Sequence, residues 1–228
     1  MRTPTALMAL VLSLALPSAA AAQSPAARRA DLREEAASTA VRQVADWVTS
    51  SGDNQGQPFL IVDKVAAEVF VFDRNGRLDE ASPALLGLAR GDHSVPGIGT
   101  RKLSTITPAE RTTPAGRFVA SLGNDLGEKD IVWVDYETAI SLHRVVTGNA
   151  KERRSERLAT PTPLDNRISY GCINVPAKFY DAVVRPAFTG TNGVVYILPE
   201  MTSLESAFPA YAAARKSAQG VTVAAPAR

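Results

Sequence analysis

The sequence predicts a mainly β domain of the α+β class. Short runs rich in β-branched and aromatic residues recur between turn residues, and only one later segment has strong helical spacing. The strands therefore do not alternate with helices, as they would in the βαβ units of a parallel sheet. A length of 228 residues fits one domain, with or without appendages, and a 45% share of hydrophobic residues excludes wholesale disorder.

The N-terminus has the pattern of a secretory signal peptide. Arg2 supplies a positive start, residues 6–16 form an apolar run, and small residues end in Ala20, Ala21 and Ala22. As a helix this run rises only about 16 Å, whereas a hydrocarbon core is about 30 Å thick. We therefore expect residues 1–22 to be removed and the mature chain to be periplasmic or secreted, without stable membrane insertion. An uncleaved anchor is the alternative.

Residues 23–56 are predicted to form one helix and a linker. Asp31 and Glu34 have the spacing of a capping box, and apolar residues follow at helical spacing as far as Val48. We expect a helix from Asp31 to Val48 whose apolar face packs on the main domain. Residues 50–56 are polar and contain two glycines, which is typical of a linker.

Residues 57–199 carry the predicted strands. The pair Asn75-Gly76 is typical of a hairpin turn, because both residues tolerate positive φ. After the last strand, residues 200–228 become Ala-rich and polar and are predicted to be a tail that frays at its end. The strands are expected at Phe59–Val62, Glu68–Asp73, Gly116–Leu122, Ile131–Asp135, Ala139–His143 and Val194–Leu198.

Composition excludes several classes of function. With 25 Lys and Arg against 23 Asp and Glu, the net charge of +2 argues against a nucleic-acid partner bound by a broad basic face. The single Cys excludes an intrachain disulfide and a Cys-cluster zinc site. We expect no metal and no other cofactor, and a monomer.

The single Cys, Cys172, lies in a segment suited to chemistry. Gly171 before it permits unusual backbone angles, and Pro176 after it is suited to the first turn of a helix over residues 177–185. We expect Cys172 on a turn aimed at that helix N-terminus, where free N–H groups lower the pKa of a thiol and can hold an oxyanion. A buried Cys that serves only as a small apolar residue is the alternative.

His143 is the candidate base for this thiol. It ends a predicted strand, and an imidazole can accept the thiol proton and return one to a leaving amine. A structural histidine is the alternative for His143 taken alone. His93 lies in a Gly/Pro loop and is expected to be a surface turn residue.

Three blocks resemble the catalytic signature of the L,D-transpeptidases, the YkuD-type family. They are Thr-Pro-x-Gly-x-Phe at 113–118, His143, and Ser-Tyr-Gly-Cys-Ile-Asn at 169–174. Their order and spacing agree with the family from about Phe59 to Leu198. The Cys block is a specific signal for the family in combination with the other two blocks, whereas Gly-Cys alone would be a weak signal.

The resemblance implies a compact β-sandwich-like catalytic domain that acts on peptidoglycan stem peptides. The N-terminal helix and the helix after Cys172, both predicted from residue spacing, would flank its strands. Cys172 would attack the carbonyl of the third stem residue and release D-Ala, with His143 as base. The backbone carbonyl of Arg144 or a neighbour would orient the imidazole. A second stem's amine would then resolve the thioester into a 3–3 cross-link, and water would instead make the enzyme an L,D-carboxypeptidase.

The same resemblance implies roles for other residues of the Cys block. Ser169, Tyr170 and Gly171 would shape the turn and the oxyanion site, with Ser169 hydrogen-bonding near His143. Asn174 would hold the substrate or the Cys loop. Tyr170 departs from one branch of the family, which has His there, so only its backbone N–H is expected to serve.

A further departure is a longer gap between His143 and Ser169. Its basic insert at 151–157 is expected to be a solvated segment, and a lid that meets stem carboxylates is the alternative. Arg144 and Arg167 flank the site and are better candidates for binding those carboxylates. The insert's basic residues are Lys151, Arg153, Arg154 and Arg157.

Proteins of other classes stay open as alternatives. One is another secreted thiol peptidase, although a sortase-like enzyme would need an Arg where this chain has Ile-Asn after Cys172. The other is a cell-wall binding protein of the same fold without catalysis, against which the joint presence of His143 and Cys172 argues.

Overall fold

The structure is a computed structural model that describes residues 28–222, apart from 126 and 128. The predicted signal peptide and the last six residues of the predicted tail lie outside the described residues. Within the described part, no helix is long and apolar enough to cross a membrane.

The described chain combines ten strands with several helices, which confirms the predicted α+β class. The strands are β1 Phe59–Asp63, β2 Glu68–Phe72, β3 Leu78–Pro83, β4 Leu86–Gly87, β5 Gly116–Asn124, β6 Asp130–Asp135, β7 Ile140–Arg144, β8 Arg167–Ser169, β9 Ile173–Val175 and β10 Gly193–Ile197.

The two longest helices, the first and the last, lie near the two ends of the described chain. The helices are α1 Thr39–Ser51, α2 Arg154–Ala159, α3 Ala177–Phe179, α4 Arg185–Phe188, α5 Leu204–Ala207 and α6 Pro209–Thr222, and a π-helical turn, Tyr180–Val184, joins α3 to α4. Single 3-10 turns occupy Ile98–Thr100, Leu103–Thr105, Pro108–Glu110, Ala150–Glu152 and Pro163–Asp165.

One eight-stranded sheet organises the fold, in the order β3-β2-β1-β10-β5-β6-β7-β9. The segment after β3 reaches the opposite edge of the sheet, because Leu85 exchanges backbone hydrogen bonds with Asn174 of β9. The next residues, in β4, pair with β8. The sheet is therefore curled and nearly closed on itself.

The central strands are apolar on both faces because each face covers a core. In β1, Leu60 and Val62 enter an inner core inside the curled sheet, and Phe59 and Ile61 enter an outer core on its other face. The helical segment from 177 to 188 closes the inner core, and α1 and α6 cover the outer core over β1, β2 and β10.

The N-terminal helix begins later than predicted, at Thr39 instead of Asp31. Ser38 is its N-cap and accepts a hydrogen bond from the N–H of Val41. Asp31 cannot serve as the cap because its backbone pairs with the turn before β3, donating to Gly76 and accepting from Leu78.

Both flanks pack on the sheet as parts of one body. Trp47 of α1 lies edge-on to Tyr196 of β10 and to Tyr211 of α6. In the predicted linker, the carboxylate of Asp53 forms an ion pair with Arg117, with 2.6 Å between Nε and Oδ2. The apolar face of α1 packs on the sheet, as the sequence predicts. Residues 53 and 204–211, which the sequence assigned to a linker and a tail, also contact the sheet or α1.

A buried ionic cluster ties distant segments together beside β1. The side chains of Lys64, Asp92 and Glu200 are at most 2% exposed, and Arg167 is 11% exposed. Lys64 Nζ lies 2.7 Å from Asp92 Oδ1, and Arg167 Nη2 lies 2.6 Å from Glu200 Oε2. Asp92 also accepts hydrogen bonds from the N–H groups of residues 200, 201 and 202. Two cations and two anions balance, so no net charge is buried.

Candidate active site

Cys172 and His143 come together because β7 and β9 are parallel neighbours. The register pairs Leu142 with Ile173 and His143 with Asn174. Leu142 and Ile173 enter the inner core, so Ser141, His143, Cys172 and Asn174 project from the opposite face by strand alternation. This part of the outer face lies beyond the strands that α1 and α6 cover.

Cys172 is half-buried and is the free thiol of the described chain. The hydroxyl of Ser141 donates to Sγ at 3.5 Å, and Sγ lies 3.7 Å from the carbonyl oxygen of Ala139. Burial by itself raises the pKa of the thiol, but hydrogen bonding and positive charge from His143, with hydrogen bonds from Ser141, outweigh it and lower the pKa. The thiolate is thus stabilised by neighbours that were brought there by the strand register.

The imidazole of His143 is oriented by its own strand. Nδ1 lies 2.7 Å from the carbonyl oxygen of Arg144, so Nδ1–H donates to this acceptor. That tautomer leaves Nε2 to interact with the thiol of Cys172. Burial lowers the pKa of His143, but the hydrogen bond and charge of Cys172 and the carbonyl of Arg144 outweigh it and raise the pKa. The two shifts have opposite signs, and together they favour a thiolate–imidazolium pair.

The turn before Cys172 requires glycine. Gly171 has φ +131°, and a Cβ there would lie 2.7 Å from both Thr112 O and Ile140 Cδ1. Its N–H donates to Ser169 Oγ at 3.1 Å, and that hydroxyl donates to the carbonyl of Cys172 at 2.6 Å. Ser169 therefore braces the turn itself, through contacts to Gly171 and Cys172.

The contacts of Ser169 change which N–H groups of the turn can bind an oxyanion. The N–H of Gly171 is already used by Ser169 and is not free for a substrate. Within the described residues, the N–H groups of Tyr170 and Cys172 have no hydrogen-bond partner. These two groups are the ones available to an oxyanion at the turn.

The Thr-Pro-x-Gly-x-Phe block contacts the same turn. Thr113 is fully buried, and its hydroxyl donates to the carbonyl of Gly171 at 2.7 Å while accepting from the N–H of Gly87 at 2.9 Å. The carbonyl of Thr113 accepts in turn from Lys64 of the buried ionic cluster, at 2.9 Å. This block therefore links the turn at Gly171 to the ionic cluster.

The predicted proximity of Cys172 to a helix N-terminus is wrong. Residues 173–175 form β9, and α3 begins only at Ala177. Three extended residues span about 10 Å, beyond the first turn within which a helix terminus acts. Helical structure also continues past Pro186 to Phe188, because Pro186 starts a new segment after the π-turn, where its missing N–H is tolerated.

The two arginines predicted to bind substrate are engaged elsewhere. Arg144 forms ion pairs with Asp130 and Asp181, and Arg167 is held by Glu200 and by the carbonyl of Lys64. Substrate binding by Arg144 and Arg167 stays a prediction, and these contacts favour structural roles. His93 is exposed, as expected for a turn residue.

Asn174 is 1% exposed, so its side chain does not face a substrate. Its Oδ1 accepts from Arg154 at 2.7 Å, and its Nδ2 donates to the carbonyl of Cys172 at 3.2 Å. Of the two roles predicted for Asn174, these contacts favour holding the Cys loop. The sequence alone predicts no role for Ser141, although strand alternation places its side chain on the same face as His143. It also predicts that Arg154 is solvated.

A cleft opens beside Cys172, between the loop of 3-10 turns at 94–112 and the turn before β7. Its volume is about 70 Å³. Apolar cavities of about 150 Å³ take up benzene, so this cleft has room for a smaller group. Its wall includes Ile98, Leu103, Ile106, Ile140, Tyr170 and Cys172. Among the described residues, no cluster of three or more His, Cys, Asp or Glu has the arrangement of a metal site.

Comparison with known proteins gives matches among solved structures only. No protein-family model and no curated protein sequence matches the chain. The helical cell shape determining protein Pgp2 from Campylobacter jejuni is 14% identical, with a TM-score of 0.39 over 71% of this chain and 57% of its own. The catalytic domain of the E. faecium L,D-transpeptidase is 16% identical, with a TM-score of 0.37 over 63% of this chain and 98% of that domain.

The L,D-transpeptidase from Mycobacterium smegmatis is 13% identical, with a TM-score of 0.35 over 62% of this chain and 58% of its own. These are folds of L,D-transpeptidases and of a cell-shape protein. Apart from the isolated catalytic domain, the chain spans about half to three fifths of the length of the proteins it matches. The matched enzymes are of the family that the sequence motifs resemble, but at these identities and TM-scores the likeness carries no argument about activity.

Proposed function

We propose that the chain is an exported cysteine L,D-transpeptidase that acts on peptidoglycan stem peptides. The observation that carries the proposal is the pairing of Cys172 with His143 beside a cleft. The thiol has a lowered pKa, the imidazole has a raised pKa, and Arg144 fixes the tautomer. A Cys that served only as a small apolar residue would need neither an oriented base nor unpaired N–H groups on its own turn.

The proposed acylation step uses this geometry. Nε2 of His143 takes the thiol proton, and Sγ of Cys172 forms a bond to the carbonyl carbon of the third stem residue. The N–H groups of Cys172 and Tyr170 hold the developing oxyanion, and one such donor is typically worth about 3–4 kcal/mol in the transition state. The bond to the terminal D-Ala then breaks, His143 protonates the departing amine, and a thioester remains.

The acceptor determines the product. When the side-chain amine of a second stem attacks the thioester, His143 removes its proton and the thiolate leaves, which gives a 3–3 cross-link. When water attacks in the same way, the product is a shortened stem, and the activity is that of an L,D-carboxypeptidase. Both outcomes use the same Cys172 intermediate.

Covalent labelling tests the nucleophile. We expect the purified chain from residue 23 onward to gain one carbapenem mass per molecule, because carbapenems acylate enzymes of the family that the motifs resemble. The Cys172→Ala variant should gain none, and His143→Ala should label much more slowly. A folded wild-type chain that gains no adduct would favour the non-catalytic wall protein.

Muropeptide analysis tests the acceptor. Purified stem tetrapeptides or sacculi are incubated with wild type and with Cys172→Ala, and the products are separated. New 3–3 dimers in the wild-type digest alone support transpeptidation, and tripeptides without dimers support the carboxypeptidase. Identical digests from the two proteins would contradict both.

A further inference from the structure

Arg154 reaches the candidate active site from the basic insert, which is not a free solvated loop. Arg157 Nε donates to the carbonyl of Glu152 at 2.8 Å, and its Nη1 donates to the carbonyl of Asp165. Leu158 of α2 is buried. These contacts fix the start of α2, from which Arg154 projects, relative to the strands of the site.

The guanidinium of Arg154 is held on two sides. Nε donates to Glu152 and Nη1 donates to Oδ1 of Asn174 at 2.7 Å, and the side chain is 13% exposed. Its neighbour Arg153, the N-cap residue of α2, is 71% exposed and pairs with Glu156 of that helix. The two adjacent arginines thus provide a contrast between a buried contact to the site and an exposed surface pair.

The contact to Asn174 orients the backbone of the nucleophile. An amide whose Oδ1 accepts from a guanidinium must present its NH₂ on the other side, and here Nδ2 donates to the carbonyl of Cys172. This carbonyl also accepts from Ser169. The carbonyl of Cys172 is therefore braced from two directions, on the C-terminal side of the residue whose own N–H is one of the free oxyanion donors.

The charge of Arg154 also acts on the base. Cys172 and Arg154 are both charged or titratable groups that act on the pKa of His143. Arg154 lowers the pKa of His143 and so partly opposes the effect of Cys172. An imidazolium with a less elevated pKa gives its proton to a leaving amine more readily.

We infer that Arg154 is a positioning residue for the Cys172–His143 pair. Its planar fork fixes the amide of Asn174, which fixes the turn that presents the nucleophile and its N–H to the substrate. This role rests on the proposed function, because the alignment matters only if Cys172 attacks a carbonyl.

The test compares Arg154→Met with Arg153→Met and Arg154→Lys. Three quantities are measured: the rate of carbapenem acylation, the rate of iodoacetamide alkylation, and the NMR titration midpoint of His143. The chain has one other histidine, His93, so the imidazole signals are simple to assign. We expect Arg154→Met to slow acylation by about 10- to 100-fold, as loss of alignment typically does. Iodoacetamide needs no oxyanion, so its rate should stay within about threefold of wild type.

The other readouts separate alignment from folding. Loss of the cation should raise the His143 midpoint in Arg154→Met, whereas Arg154→Lys keeps the charge and should stay near wild type while recovering acylation only partly. Arg153→Met should match wild type throughout. Unchanged acylation in Arg154→Met, or an equal loss in Arg153→Met, would overturn the inference. If even wild type is not acylated, the proposed function fails, and the His143 midpoints alone decide whether Arg154 acts on the base.

Discussion

Replacement of Thr113 by valine removes one hydroxyl that holds two backbone groups at the turn before Cys172. The side chain is fully buried, donates to the carbonyl of Gly171 and accepts from the N–H of Gly87. Valine has nearly the same shape, so Thr113→Val leaves both backbone groups buried without a partner and opens no cavity.

The expected loss of stability follows from those two groups. A buried donor or acceptor without a partner costs about 1–3 kcal/mol, so two of them lower the free energy of unfolding by roughly 2–6 kcal/mol. In a domain of this size about 1 kcal/mol shifts Tm by about 2–4 °C, so Tm should fall by roughly 4–24 °C. The freed carbonyl of Gly171 should also loosen the turn and slow carbapenem acylation.

Thr113→Ser is the matched control, because it keeps the hydroxyl and removes only a methyl group, worth about 1 kcal/mol. Thermal unfolding followed by circular dichroism measures Tm, and mass spectrometry follows acylation. The reasoning is refuted if Val and Ser variants have the same Tm, or if the Ser variant is the less stable of the two.

Three further outcomes are expected. Gly171→Ala should abolish the carbapenem adduct, because alanine is strained at φ +131° and its Cβ meets the carbonyl of Thr112 at 2.7 Å. Glu68→Gln should stabilise the protein at pH 8 and not at pH 4, because burial, followed by the charges of neighbouring carboxylates, raises the pKa of Glu68 to about 7. Stability from this carboxyl is complete below its unfolded pKa and is lost as pH rises through 7, and solvent screening leaves a gain of about 1 kcal/mol for the variant. His143→Ala should raise the pKa of Cys172 and slow its alkylation at neutral pH, by about tenfold for each pH unit that the profile moves.

Each of these has its own control. Gly190→Ala also places alanine at positive φ, +73°, but with no atom within 4 Å, so it should lose stability without losing the adduct. An equal Tm difference for Glu68→Gln at both pH values, measured by calorimetry, would contradict the assignment of the titrating group. An iodoacetamide profile that His143→Ala leaves unmoved would remove the base from the proposed mechanism.

Runs of apolar, β-branched and aromatic residues were enough to predict the central strands, because apolar residues there fill a core on each face. Such runs leave the bounds of β3 undefined, because its Asp79 and Glu80 are exposed, and they miss β8 and β9, which are three residues long. Short or polar strands are defined by their partners, and those partners are distant in sequence. The predicted start of α1 was wrong for the same reason. Asp31 is a residue type that often caps helices, but its backbone forms hydrogen bonds with Gly76 and Leu78 instead.

The motifs were sufficient to pair Cys172 with His143, since both residue types are rare in this chain. The neighbours that tune the pair were harder to predict. Ser141 contacts Cys172 through the register of β7 against β9, and Arg154 contacts Asn174 through the fold of an insert. No sequence spacing predicts either contact. The sequence alone therefore favours Arg144 and Arg167, which are close to the motifs, for binding substrate, whereas Arg154 is the arginine that contacts Asn174.

The ionic cluster beside β1 sets a minimum length for any fragment that folds by itself. A fragment cut after Pro199, where the strand pattern ends, would lose Glu200 and the three N–H donors that hold Asp92. Lys64 and Arg167 would then lie in an interior with one anion fewer. Breaking such a buried pair costs about 3–5 kcal/mol, which is a large share of the free energy of unfolding of a typical domain, about 5–15 kcal/mol. The autonomous unit therefore extends at least through Thr202, three residues beyond the last residue that the motif-bearing strands would suggest.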